Sequence, residues 1–206
     1  MIEKWIRVTP PDLDTDPLTL DFVRDQHLRV TNGSVEDAWI RRAIRSSLIQ
    51  AQKFSRRVHL TETWDLRTAF PCGREIEFSK APVQEVESIT YVDANGETQT
   101  LGASPPPYEF INPSIDTNQK ASIVLGYGES WPACRSQPYP VTIRLVLGYP
   151  DNDETPVRAD IPEDILNGRL VWIGELYKQR TESVQTINNT PAMIRARDLW
   201  RMHKVY

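Results

Sequence analysis

Apolar positions recur with two different periods along this chain, and the change of period divides it. Ile40, Ala43, Ile44, Ser47, Leu48, Ala51, Phe54 and Val58 follow one another at spacings of three and four. That is the stripe of a helix laid against a core, and it predicts helix over 35–57. Thr31-Asn32-Gly33-Ser34 reads as a turn ending in an N-cap, and Ser34 with Asp37 approximates a capping box. Upstream, Thr19 caps a shorter predicted helix from Leu20 to about Leu28, with Asp21 in its first turn. Near the other end, Asp160-Ile161-Pro162-Glu163-Asp164 is a helix start, with proline tolerated in the first turn and carboxylates favoured by the helix dipole. Ile165, Leu166, Leu170, Val171, Ile173, Leu176 and Tyr177 then make a wide apolar face that Lys178-Gln179-Arg180 closes.

Between these helices the period falls to two. Leu60, Glu62, Trp64 and Leu66 alternate with Thr61, Thr63, Asp65 and Arg67, and Glu75-Ile76-Glu77-Phe78 alternates as well. Val86 to Val92, the turn Asp93-Ala94-Asn95-Gly96 and Glu97 to Leu101 read as a hairpin whose Asn-Gly pair supplies positive φ angles. Tyr108–Ile111, Ser122–Leu125 and Val141–Leu147 are further strands. The sixteen prolines sharpen this division, because twelve of them fall between Pro71 and Pro162 and leave 18–70 and 163–190 free for long helices. Strands segregated from helices give an α+β class: N-terminal helices and a long C-terminal helix form a helical core, with an inserted small antiparallel β domain and an extended tail. The expected division is an N-terminal extension 1–17, helical core 18–58, β-rich insertion 59–158, last core helix 159–181 and C-terminal tail 182–206.

Composition excludes several classes. Apolar residues at 39% and a net charge of −4 argue against disorder and against a strongly basic nucleic-acid binder. No stretch approaches the ~20 apolar residues of a membrane span, and the start Met1-Ile2-Glu3-Lys4-Trp5-Ile6 lacks the apolar run of a signal peptide, so cytosolic synthesis is expected. Cys72 and Cys134 have no ligand-like spacing and are expected as free thiols, with no metal. His27, His59 and His203 are isolated from one another and from any nucleophile signature. Gly126-Tyr127-Gly128 is followed by Trp131-Pro132 where a phosphate-binding helix should begin. No catalytic site and no cofactor are expected.

Charge distribution says more than its sum. The 35–57 helix carries Arg41, Arg42, Arg45, Lys53, Arg56 and Arg57 against Glu36 and Asp37, so it holds +4 while the rest of the chain holds −8. Such a face is either a solvated surface or one that meets an acidic partner or an acidic neighbouring copy of the chain. A DNA-binding module built on Arg41, Arg45 and Arg56 is the alternative. At the C-terminus, a polar spacer over 181–190 precedes a short helix beginning at Pro191. Ile194, Leu199, Trp200 and Met202 sit there among Arg195, Arg197 and Arg201. This segment can pack on its own core, but its tryptophan and apolar anchors favour insertion into a partner or an adjacent subunit.

Read in order, these phrases resemble the bacteriophage head-tail connector or adaptor proteins, which also occur in gene-transfer agents. Leu18-Thr19-Leu20 leading to His27-Leu28-Arg29-Val30 is similar to the family's opening, and Glu36-Asp37 opening a helix that closes with Phe54-Ser55-Arg56-Arg57 is similar to its second element. Trp64-Asp65-Leu66, then Ala81-Pro82-Val83 running to Ser88-Ile89-Thr90-Tyr91-Val92-Asp93 and Gly96, resemble its central strands. Gly128 to Trp131-Pro132, Val141 to Gly148-Tyr149, Ile161-Pro162 to Ile165 and Leu176 to Arg180 complete the series over about 18–180.

The resemblance implies a virion structural protein at the head-tail interface, without enzymatic activity. Members form a ring, commonly of twelve copies, below the portal, extending a channel that DNA traverses without specific binding. They offer a platform to a head-completion, stopper or tail protein. The residues fit that expectation: a ring subunit needs lateral complementarity, which the +4 helix and the −8 remainder can supply, and a portal anchor, which the apolar-basic C-terminal residues can supply.

Overall fold

A computed structural model of the chain describes residues 3–30, 33–102, 106–113, 119–153, 156–179 and 190–205, the side chains of 33–35 excepted. Two compact units form, Met1–Asp12 with Leu60–Pro150 and Leu13–His59 with Asp151–Tyr206. The first holds all the strands and the second all the long helices, which is the predicted α+β segregation. Among the described residues no helix is long and apolar enough to cross a membrane.

The β unit contains two antiparallel sheets. Strands β1 (Lys4–Thr9), β2 (Glu62–Thr68), β8 (Val141–Leu147), β4 (Val83–Val92) and β5 (Thr98–Thr100) form the larger in that spatial order. The smaller has order β3 (Glu75–Glu77), β7 (Ser122–Leu125), β6 (Tyr108–Ile111). The central strand β8 shows why the register is fixed. Val141, Ile143, Leu145 and Leu147 are all fully buried while Thr142, Arg144 and Val146 alternate with them, so a slip of one residue would turn four aliphatic side chains outward. Leu66 and Ile89 stand opposite Ile143 on the two neighbouring strands and complete the buried row. On the other face Asp65 opposes Arg144 and accepts from its Nε at 2.8 Å and Nη2 at 3.3 Å.

Two expectations change in this unit. The N-terminal segment is not an extension: Lys4–Thr9 pairs with β2 from Lys4↔Arg67 to Thr9↔Thr63, and the Trp5 indole donates to Ser79 Oγ at 3.0 Å. In the β4–β5 turn only Gly96 has positive φ (92°), not Asn95. Asp93 bends the chain instead, accepting at Oδ1 from the amides of Asn95 (2.9 Å) and Glu97 (3.0 Å), while Gly96 N–H closes on the Asp93 carbonyl. At the end of β8, Gly148 (φ 119°) passes so close to Leu60 that a Cβ would lie 2.3 Å from its carbonyl oxygen. Only glycine fits there.

The helical unit is built from α1 (Gly33–Ser55), α2 (Glu163–Lys178) and α3 (Pro191–Met202), which pack on one another. The predicted Leu20–Leu28 helix is present, with Thr19 Oγ1 accepting from Phe22 N–H at 3.2 Å, but Phe22–Leu28 winds as a π-helix. Arg29 in the left-handed region (φ 55°) closes it by donating to the Arg24 carbonyl. Helix α1 stops two residues before the predicted end because Arg56 turns left-handed (φ 57°). The predicted stripe is the buried one, with Ile40, Ala43, Ile44, Ser47, Leu48 and Ala51 all buried. The Thr31–Asn32 turn, the Ser34 cap, Arg180 and the spacer 181–189 lie outside the described residues and side chains.

Candidate functional site

An ion pair organises the helical unit. Arg169, in the middle of the apolar face of α2, is fully buried. It forks onto Asp16, with Nη1–Oδ1 at 2.9 Å and Nη2–Oδ2 at 2.6 Å, and its Nε donates to Ser47 Oγ at 3.2 Å. Asp16 Oδ1 also accepts from Leu18 N–H. This fixes the segment 13–20 against α1 and α2, and a cavity of about 380 Å³ opens beside it. Its charged lining is Asp14, Asp16, Arg41, Arg45 and Arg158, with Thr19 adding a hydroxyl. Arg158 is held by its Nη1, which donates to the carbonyls of Asp14 and Val157.

Of the six basic residues assigned to the α1 face, Arg41, Arg42, Arg45, Lys53 and Arg56 are exposed, and Arg41, Arg42 and Arg45 make no ion pair among the described residues. Arg57 is a correction. It lies past the helix end, is 3% exposed, and donates from Nε to the His203 carbonyl at 2.6 Å, so it ties the C-terminus down rather than facing a neighbour.

The C-terminal anchor is corrected more deeply. Trp200 is wholly buried; it stacks on Phe54 at 6.0 Å, meets Trp172 at 5.5 Å and donates its indole N–H to the Ile165 carbonyl. Gly168 makes room for it, since a Cβ there would stand 2.5 Å from its Nε1. Arg197 lies over the Phe54 and Trp172 rings. The segment therefore docks on its own core, and burying a tryptophan against an aromatic pair outweighs holding it out for a partner. The outward face of α3 keeps Ile194 (48% exposed) and Met202 (56% exposed) beside Arg195 and Arg201, with Leu199 at its margin.

The histidines are placed apart. His27 donates from Nε2 to the Leu170 carbonyl at 2.9 Å, and His203 lies 3.7 Å from an Asp164 carboxylate oxygen. His59 is fully buried beside Ser55 Oγ; burial, then the positive charges of Arg169 and Arg57, push its pKa well below the ordinary value. Tyr127 between its two glycines is 99% exposed in a turn, not at a helix start. Among the described residues no group of three potential metal ligands occurs, and both cysteines are free, with burial pushing the Cys134 thiol up. Sequence reasoning missed Asp16, Arg158 and Arg169, because each reads locally as a solvated charge.

No family model matches the chain, and no curated protein matches it. Solved structures do. The chain is similar to one in the neck of the empty gene transfer agent particle, computed with C6 symmetry. The TM-score is 0.70 at 19% identity, covering 96% of this chain and 95% of that one. A chain of the virion of the native gene transfer agent particle matches at TM-score 0.68 and 19% identity (96% and 94% covered). One from the neck of the native particle, computed with C12 symmetry, matches at 0.68 and 17% (96% and 94%). At such identities the likeness is one of fold, and it runs through both units.

Proposed function

We propose that this chain is a structural subunit of the neck of a phage-like particle, where copies of it form a ring at the junction of head and tail. The observation that carries this is the shared fold over 96% of the chain with chains of gene transfer agent particles whose necks were computed with C6 and C12 symmetry. A fold seen in such necks is one whose sides can meet copies of itself around an axis. The finer reading is an adaptor of about twelve copies below the portal. It lengthens the DNA channel and presents a platform to a stopper or tail protein. Arg41, Arg42, Arg45, Lys53 and Arg56 are assigned to the lateral contact, and the outer face of α3, with Ile194, Arg195, Arg201 and Met202, to the portal. The role this reading assigns to the chain is structural.

Electron microscopy of the native particle, or of the chain mixed with its portal protein, tests this directly. A ring of this fold at the head-tail junction is the expected result, and its location elsewhere in the particle would overturn the reading. The exposed arginines of α1 also suit a DNA-binding module. Affinity for duplex DNA that falls steeply with salt would favour that reading instead.

A further inference from the structure

The cavity beside Asp16 is built to receive anions. Arg41 and Arg45 stand one turn apart on α1, a like-charge pair that weakens an isolated helix and here has no carboxylate partner among the described residues. Arg158 joins them with its guanidinium held by two backbone carbonyls. Of the two carboxylates in the lining, Asp16 is taken up by Arg169, leaving Asp14 against three arginines. A concave site with a few oriented guanidinium groups suits discrete carboxylates better than the evenly spaced phosphates of a duplex.

The β unit carries the complementary face. Its sequence holds thirteen acidic against eight basic residues, a net of −5. In the smaller sheet Glu75 and Glu109 both stand opposite Val124, so they share one side of the sheet, two strand spacings or about 10 Å apart. Both are exposed, and neither has an ion pair among the described residues. The cations nearby are engaged elsewhere: Lys120 pairs with Glu77 at 3.8 Å, and Arg74 turns its Nη2 to the Leu125 carbonyl.

We infer that the Arg41–Arg45–Arg158 cavity of one copy receives the Glu75–Glu109 face of a second copy of this chain. On the ring reading the contact is head-to-tail, and such a contact closes into a ring when the rotation permits. This rests on the ring reading above and specifies which surfaces make it.

Two charge-reversed chains test it: Arg41→Glu with Arg45→Glu, and Glu75→Arg with Glu109→Arg. All four side chains are exposed, and thermal melts by circular dichroism verify that each variant is folded. Heads lacking the ring are incubated with each chain and scored for ring acquisition by negative-stain electron microscopy. Each variant alone sets like charges against each other and loses ring occupancy by about tenfold or more. Mixed one to one, every contact around an alternating ring becomes complementary again, and occupancy returns to near the wild-type level. The neutral pairs, Arg41→Gln with Arg45→Gln and Glu75→Gln with Glu109→Gln, lose occupancy, and mixing them restores only every second contact, so they recover less than the charge-reversed mixture. Rings formed by either reversed chain as well as by wild type, or a mixture no better than its components, would overturn the inference while leaving the ring reading intact. Heads that acquire no ring from the wild-type chain would overturn both.

Discussion

Replacing Asp16 by alanine should be among the most damaging single changes in the helical unit. The substitution removes the carboxylate that accepts from both terminal nitrogens of Arg169, at 2.9 and 2.6 Å, and from the Leu18 amide at 3.0 Å. Arg169 has no exposure, so its charge cannot turn to water, and Ser47 Oγ is its other acceptor among the described residues. Breaking a buried pair by deleting one partner costs about 3–5 kcal/mol, because the survivor's desolvation is left uncompensated. For a chain of this size each kcal/mol lowers the melting temperature by about 2–4 °C, so a loss of roughly 10 °C is expected. Thermal and urea unfolding followed by far-ultraviolet circular dichroism measure it. The argument has a second arm. Asp16→Leu combined with Arg169→Met removes both charges, and that double variant should return to within about 2 kcal/mol of wild type, the residue being the Leu18 amide left without an acceptor. An Asp16→Ala chain as stable as wild type, or a double variant no better than the single one, would refute the reasoning.

Three further outcomes follow from the same structure. Gly148→Ala should destabilise the β unit by about 2 kcal/mol or more, since it strains a φ of 119° and drives a methyl into the Leu60 carbonyl; its urea midpoint falls while its slope is unchanged. Trp200→Ala should cost about 3–5 kcal/mol by emptying the space against Phe54, Trp172 and Gly168. Deleting residues 190–206 should likewise leave the helical unit unfolded by hydrogen exchange, whereas a docking tail would come off harmlessly. Because His59 is depressed in the folded chain, the unfolded chain binds its proton first as pH falls. Stability present above pH 6.5 is therefore lost below it, at up to about 1.4 kcal/mol per pH unit. His59→Gln should flatten the dependence below pH 6.5 in urea titrations.

What was legible in the sequence is what local pattern determines. The stripe from Ile40 to Ala51 fixes which side of α1 is buried, and by exclusion which side shows Arg41, Arg42 and Arg45. The alternation of β8 likewise fixes its register. What was not legible depends on partners distant in the chain. Strand β1 is held by β2 some 58 residues away and is followed by Pro10-Pro11, so its short alternation carries no weight by itself. Arg57 and Trp200 were misplaced, and Arg169 missed, for one physical reason: a long polar or amphipathic side chain is assigned to solvent or to a partner unless its buried acceptor is known. Here the acceptors are the His203 carbonyl, Asp16 and the Ile165 carbonyl, each more than 30 residues away. The cavity beside Asp16 shares this origin, since α1 supplies two of its arginines legibly and the third, Arg158, arrives from the far side of the β insertion.

The net charge of −4 is a poor guide to what this chain attracts, because its two units differ. The β unit holds −5 and the helical unit therefore +1, with Arg41, Arg42, Arg45, Lys53 and Arg56 of the latter on the exposed side of α1. A two-fold dimer needs one patch that complements itself, and a patch of arginines opposes its own copy. Two patches of opposite sign on different units suit the proposed ring, in which each copy offers its positive face to one neighbour and its negative face to the next. Closure around an axis is then the state in which every arginine pair and every glutamate pair finds a partner. A single copy or an open chain leaves one set at each end uncompensated, which is why salt should weaken the proposed ring without melting the subunit.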